Sequence, residues 1–403
     1  MVVGGGAGGC SVAWRLSKKL KAKEIVLLEP SLVHYYQPLF SLVAAGMKQF
    51  PQSKKRIRDV LPQGVVWLKD HAYDFDPCNN VVYTQSGEKI YYDFMVMAVG
   101  LKNDYNKIPG LLKELNNPHS CVTTSYSPLY CEKTWCCLQR FKGGHAVFTF
   151  PRQAGKCSGA ALKIMLLADD YWRKQKTRDC TNITFNTGGN SLFGVQKYST
   201  ALNKIVSNRG IAVNCCLNLT ELTPNGASFA SEDGKTITFP YNFLHVTPPM
   251  SPPVCLTKCT ELVTDTGFLD VDKYTLQHRR FSNIYGIGDC TSTPNSKTAA
   301  AVARQSYVVE RNLLRTMEGK KPLVKYDGYG ACTVLTSFKS GILAESVYDK
   351  KPRETFPFDQ SKEHKLVGFL TKNYFPHLYW KRLIKGKWNG PQTLRKVINP
   401  LRK

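Results

Sequence analysis

One thiol stands where a phosphate loop would be expected. Residues 145 to 160 read HAVFTFPRQAGKCSGA. HAVFTF has the length and composition of a short buried strand. After it come a proline, two basic residues, two glycines in the wrong register for a phosphate loop, and Cys157. A cysteine does chemistry as its thiolate, which neighbouring cations favour. Lys156, Lys163 and Arg152 lie close enough in sequence to act this way if they face the sulfur; solvated surface charge is the competing reading. A glycine pattern of the kind missing after HAVFTF is found at the other end of the chain. MVVGGGAGGCSVAWRLSKK reads as strand, glycine turn and helix, with Gly4, Gly6 and Gly9 in the spacing GxGxxG. The first glycine permits a tight turn, the second lets a pyrophosphate approach the backbone, and the third lets the helix pack on the strand. Residues 4 to 9, with Ala7 and Gly8, would then present the positive end of the helix to phosphates. EIVLLEP supplies a second buried strand, and its Glu29 is placed to bind ribose hydroxyls.

These groups need two or three domains to hold them, and 403 residues suffice. With 42% hydrophobic and 11% aromatic residues the chain can bury a large core. The 14 cysteines are scattered with no CxxC, so neither a zinc site nor a disulfide scaffold is expected. The net charge of +25 suits an anionic membrane surface or anionic ligands. No zinc finger, helix-turn-helix or RNP motif accompanies it, so no nucleic acid partner is expected. No run of 18 apolar residues is present to span a bilayer. MVV is short for a first strand of about 5 or 6 residues. It reads as a clipped start that would have removed any targeting segment and shortened the strand that nucleotide binding needs.

Two later segments separate FAD from NAD. YYDFMVMAVG ends in Gly100, and TLQHRRFSNIYGIGDC ends in an apolar strand followed by Gly288 and Asp289. Both resemble the segments that complete the FAD site in the flavoproteins with two dinucleotide-binding domains, relatives of glutathione reductase and type II NADH dehydrogenase. The resemblance implies that Asp289 binds the ribityl chain. It also implies that SKTAAAVARQS, with Lys297, begins a helix aimed at the pyrimidine end of the isoalloxazine, where its dipole favours reduced flavin. Gln37 in HYYQPL and Ala72 in WLKDHA fall in flavin- and adenine-contacting places. In that family HAVFTF opens the NAD part. NITFNT and GIAVNCC supply further strands, but the glycine loop is gone, so NAD(P)H is not expected as donor.

The match then narrows. FTFP…KCSGA, FNT…FGVQKY, LHVTPPMSPP, GIGDCT…SKTAAAV, KYDGY…C, ETFPFDQSKE and YWKRLIKGKWNGP resemble sulfide:quinone oxidoreductases of the mitochondrial type over essentially the whole chain. The family's redox cysteines map onto Cys157 and onto Cys332 in DGYGACTVL. The resemblance implies that HS⁻ attacks their disulfide, that Cys332 keeps the sulfur as a persulfide, and that Cys157, beside Lys163, passes electrons to FAD and on to ubiquinone. Glutathione or sulfite would accept the sulfur. The location implied is the matrix side of the mitochondrial inner membrane.

The fold class expected is α/β: two Rossmann-like, glutathione-reductase-like domains plus a C-terminal membrane-docking segment. The boundaries read as 1–110 for the first part of the FAD domain, 111–270 for a second Rossmann-like domain, 271–325 for the FAD domain's second part, and 326–403 for a quinone and membrane interface. From residue 361 the chain mixes Leu, Phe, Tyr and Trp with Lys and Arg. Two short amphipathic helices split near Pro376, lying at the membrane interface, are expected. His34, His71, His245 and Cys290 are read as structural. A type II NADH:quinone oxidoreductase and a non-catalytic FAD-binding protein are the alternatives.

Overall fold

A computed structural model describes residues 1–152 and 155–398. Gln153 and Ala154 of the PRQAGKC loop, and the last five residues of the basic tail, lie outside the described residues.

The first sheet is parallel and five-stranded. Its order is Ile284–Gly286, Met95–Met97, Val2–Val3, Val26–Leu28, Val66–Leu68. The short first strand therefore sits in the centre, with Val2 opposite both Leu27 and Val96. It has only two residues, but the pairing extends past them: Val96 N–H donates to Met1 O at 2.9 Å and Gly4 N–H to Leu28 O at 2.8 Å. Val2 and Val3 are fully buried, as a strand covered on both faces requires. The sheet's edge strand comes from residues 284 to 286, so the chain leaves this unit after residue 97 and returns much later.

The second sheet is built in between. Its parallel order is Val122–Thr123, Phe243–His245, Gly144–Phe150, Thr181–Thr187, Ala212–Asn214. HAVFTF lies in its middle strand, with Ala146, Val147 and Phe148 fully buried. A three-stranded antiparallel meander over residues 217 to 239 is appended. Two sheets of this kind, each with helices from βαβ crossovers, define the α/β class. A separate hairpin, Gly330–Leu335 against Gly341–Ser346, packs on the Ser158–Lys174 helix.

The C-terminal tail departs from expectation. Pro376 does not divide it. Residues 365 to 383 form one helical run in which two π-type stretches, Leu370–Tyr374 and Tyr379–Leu383, flank Phe375–Leu378. Proline lacks the N–H that closes a helical turn, and the wider π turns on either side accommodate it. The break falls later, after Gly386, and a separate helix spans Gln392–Ile398. No described helix is long and apolar enough to cross a membrane.

Candidate active site

The glycine loop joins the Val2–Val3 strand to the Ala7–Leu16 helix. Gly4 has φ +102°, and a Cβ there would lie 2.5 Å from Ala98 O. A Cβ on Gly9 would lie 1.8 Å from Gly4 O, so the third glycine is needed for the helix to approach the turn. A Cβ on Gly6 would meet nothing within 4 Å. The first and third glycines are thus required by the chain itself, whereas the second opens onto empty space. That space is a cavity of about 510 Å³.

Nearly all the residues singled out in the sequence line it: Gly4, Gly6, Ala7, Gly8, Glu29, Gln37, Gly100, Cys157, Lys163, Asp289, Lys297 and Cys332. Gly9 lies behind the turn. Ala72 lies elsewhere, opening the Ala72–Asp76 strand of a three-stranded antiparallel sheet. WLKDHA is not a single strand; it breaks between Val66–Leu68 and that sheet. Arg152 is also outside: it is exposed and pairs with Glu232 at 3.2 Å. Lys156 lines the cavity, and burial lowers its affinity for the proton.

The two cysteines, distant in sequence, meet. Cys157 Sγ and Cys332 Sγ are 3.2 Å apart. Cys157 caps the N-terminus of the Ser158–Lys174 helix in a left-handed conformation, φ +50°. A non-glycine residue holds such a conformation only when its surroundings impose it. Three hydrogen bonds do so here. Cys157 N–H donates to Lys297 O at 3.1 Å, while Cys157 O accepts from Ala160 N–H at 3.0 Å and from the Tyr126 hydroxyl at 2.9 Å. Cys332 comes from the hairpin strand opposite Ala344. Its sulfur occupies space left by Gly159, where a Cβ would lie 2.4 Å from Cys332 Sγ. The contact with Cys332, together with Lys163, lowers the Cys157 pKa to about 7 against burial, while the same contact and burial push the Cys332 pKa up.

At the nucleotide end, Glu29 accepts from Gly5 N–H at 2.6 Å and Ser31 N–H at 2.7 Å, which fixes its carboxylate at the cavity wall. Asp289, enclosed apart from the cavity, has its pKa raised by burial and partly restrained by Lys156 and Lys297. The Lys297 ammonium donates to Thr291 O at 2.6 Å and Thr293 O at 3.0 Å, and burial lowers its pKa to about 8. Behind it, Thr298 caps the Ala299–Met317 helix, whose N-terminal end opens on the cavity.

The histidines take structural places. Buried His34 has Nδ1 at 2.9 Å from Gly5 O and Nε2 at 2.6 Å from the Tyr379 hydroxyl; burial lowers its pKa to about 4. It ties the C-terminal tail to the glycine loop. The Tyr379 ring also stacks on Tyr36 at 4.2 Å. His245 is fully buried against Ser125, and His71 is exposed. Cys290 is sealed in the core, where burial raises its thiol to about 11. Sequence reasoning missed Tyr126, Gly159 and the Tyr36–Tyr379 stack. Only Gly159 left a trace, as a glycine inside a helix.

An open glycine turn, an acid at the second strand and a thiol pair in one cavity define the class of the pyridine nucleotide-disulphide oxidoreductases, and the model of that family matches residues 1–127. Over the full length the chain resembles the mitochondrial sulfide:quinone oxidoreductase of Mus musculus, 43% identical over 99% of this chain and 89% of the relative. The Dictyostelium discoideum protein of the same name is 41% identical, covering 100% and 88%. Among solved structures, the sulfide:quinone oxidoreductase of Aquifex aeolicus superposes with a TM-score of 0.81 over 100% of this chain and 95% of that one, at 20% identity. The chain belongs to the mitochondrial sulfide:quinone oxidoreductase family, a flavin-dependent branch of that class.

Proposed function

We propose that this protein oxidises hydrogen sulfide at the Cys157–Cys332 pair and delivers the electrons to ubiquinone through noncovalent FAD. The observation that carries the proposal is the 3.2 Å approach of two sulfurs 175 residues apart, inside the cavity that the glycine loop opens. FAD fits the donor set. Gly4, Gly6, Ala7, Gly8 and the helix N-terminus behind them suit the pyrophosphate, Glu29 a ribose, Asp289 the ribityl chain, and Gly100, Gln37 and Lys297 the ring. Gly9 keeps the turn closed. Ala72, the residue expected at the adenine, is not among the residues that line the cavity. When bound, the flavin supplies the two-electron acceptor.

The cysteines do the sulfur chemistry. In the oxidised protein HS⁻ attacks Cys332 Sγ; an S–S bond forms to the substrate, the Cys157–Cys332 bond breaks, and Cys157 leaves with the electron pair as thiolate. Lys163 favours that thiolate. Tyr126 and Lys297 hold its backbone. A nucleophilic sulfur acceptor such as glutathione or sulfite then removes the outer sulfur from Cys332. The division into 1–110, 111–270, 271–325 and 326–403 belongs to the same proposal, supported by the return of Ile284–Gly286 to the first sheet.

The proposed location is the matrix side of the mitochondrial inner membrane, and the tail supports docking at a membrane surface. Leu366, Phe369, Tyr374, Leu394 and Val397 are exposed among basic residues, while Tyr379, Trp380, Leu383 and Ile384 are buried against the protein. Leu370, Tyr374, Phe375, Leu378 and Leu394 also line the cavity, which suits a lipid-soluble quinone.

Anaerobic sulfide should bleach the flavin while NADH does not. Cys157→Ser and Cys332→Ser should each lose sulfide-dependent quinone reduction and retain FAD. Turnover retained in either variant refutes the proposal.

A further inference from the structure

The Gln392–Ile398 helix follows a fixed stretch of chain. Arg15 Nη2 donates to Trp388 O at 3.0 Å and to Asn389 Oδ1 at 2.6 Å, while its Nη1 pairs with buried Glu310 at 2.9 Å. Gly390 comes next, with φ +88°, and a Cβ there would meet nothing nearer than 3.8 Å. The backbone angle, not crowding, calls for glycine here, and a glycine between fixed chain and a short helix can serve as a pivot. Beyond it no residue of the helix is buried. Among the described residues Arg395 alone ties the helix to the rest of the protein by side-chain hydrogen bonds.

Those bonds reach the wall of the flavin cavity. Arg395 Nε donates to Thr355 Oγ1 at 3.1 Å, and Nη2 donates to Arg353 O at 2.7 Å and to Glu345 Oε1 at 3.2 Å. The guanidinium also lies 5.0 Å from the centre of the Tyr329 ring. Glu345, Thr355 and Tyr329 all line the cavity. Glu345 is buried and accepts from four other donors: the Tyr329 hydroxyl at 2.9 Å, Thr355 N–H at 2.7 Å, Thr355 Oγ1 at 2.8 Å and Gln360 Nε2 at 2.9 Å. The carboxylate is thus rigidly seated, and the helix is the part that can move. Arg395 Nη1 is buried and finds no acceptor among the described residues, so the pair lacks the second hydrogen bond of a bidentate contact. On the helix, Leu394 lines the cavity yet is 46% exposed, so the helix stands at a mouth. Val397 and Lys396 beside it are exposed, a composition that suits a membrane interface.

We propose that this helix is a gate which Arg395 latches shut over the tail end of the cavity, and that insertion of Leu394 and Val397 into an anionic membrane releases it to admit a lipid-soluble quinone. The inference rests on a quinone being the electron acceptor. Arg395 is a positioning residue, acting through the helix it holds. Away from a membrane the latch keeps the helix seated. At a membrane, burial of the two apolar side chains offsets the lost hydrogen bonds and the helix turns about Gly390.

The test uses full-length holoenzyme whose flavin is reduced with stoichiometric dithionite and reoxidised by decylubiquinone, with and without vesicles of phosphatidylcholine and cardiolipin. Vesicles should speed reoxidation of the wild type about tenfold by shifting the gate toward open. Arg395→Gln should reach the faster rate without vesicles and gain little from them, and Arg395→Lys should restore the dependence. Without vesicles, hydrogen exchange at residues 392–398 should be about tenfold faster in Arg395→Gln than in the wild type, with residues 365–383 unchanged. Val397→Ser leaves the latch contacts in place and should weaken the stimulation by vesicles; it carries the test should Arg395→Gln not fold. Equal reoxidation by wild type and Arg395→Gln without vesicles overturns the gate, as does slower reoxidation by the variant under both conditions, or full stimulation of Val397→Ser. If decylubiquinone leaves the wild-type flavin reduced even with vesicles, the quinone reading fails instead, and unchanged exchange at residues 392–398 in Arg395→Gln still decides against the latch.

Discussion

Gly159→Ala is the sharpest test of how the thiol pair is held. The added Cβ would lie 2.4 Å from Cys332 Sγ, 2.9 Å from Val334 Cγ2 and 3.5 Å from Phe193 Cε2. Ordinary contact between such atoms is about 3.5 Å or more, so the sulfur must retreat by about 1 Å. Two effects on stability oppose each other. Overpacking a core costs about 1–3 kcal/mol. Alanine in a helix gains up to about 1 kcal/mol over glycine, and Gly159 has no positive φ that would strain alanine. The net loss is therefore about 0–3 kcal/mol, which a folded protein tolerates. The reaction tolerates less, since a misplacement of about 1 Å at reacting atoms can cost about 100-fold in rate. The measurement is thermal unfolding alongside sulfide-dependent quinone reduction in one preparation. Near-native unfolding with turnover down about 100-fold is expected. Near-native turnover would show that Cys332 does not need the space Gly159 leaves, and the argument from the pair's geometry would fail.

Other outcomes follow from the same geometry. The Cys157 pKa of about 7 lies below the ordinary thiol value because the thiolate is stabilised. Alkylation of Cys157 in reduced protein should therefore rise with pH and be half-maximal near 7; Lys163→Gln removes a stabilising cation and should move that midpoint up. Tyr126→Phe deletes the hydrogen bond to Cys157 O and should cost about 1 kcal/mol of stability, with slower sulfide turnover but unchanged FAD content; full turnover would remove Tyr126 from the positioning of the pair. Phe369→Ser removes an exposed ring that is 58% accessible. Co-sedimentation with anionic vesicles should weaken about tenfold, the effect of about 1–2 kcal/mol of lost apolar burial; unchanged binding would place the docking surface elsewhere.

The glycine turn and the strands around it were legible in the chain because each is local. Gly4 is set by its left-handed φ and Gly9 by its close approach to Gly4 O, and Val26–Leu28 and Gly144–Phe150 by runs of apolar side chains. Resemblance to known relatives, not spacing, joined Cys157 to Cys332. WLKDHA looked continuous because its apolar pattern does not reveal the turn that sends Ala72 into another sheet. Pro376 looked like a break because the rule for proline assumes α-type turns on both sides, and here π-type turns surround it.

What the sequence determined by itself was therefore the set of elements and the kind of ligand loop they carry. Tertiary structure alone decided which side chains share one space. Lys163 and Arg152 are both basic neighbours of Cys157 in sequence, yet one lines the cavity and the other pairs with Glu232 at the surface. His34 reaches Tyr379 across 345 positions, and Cys157 reaches Cys332 across 175. Such contacts depend on how helices and sheets pack, which is fixed by the sum of many burials across the molecule and not by any local pattern.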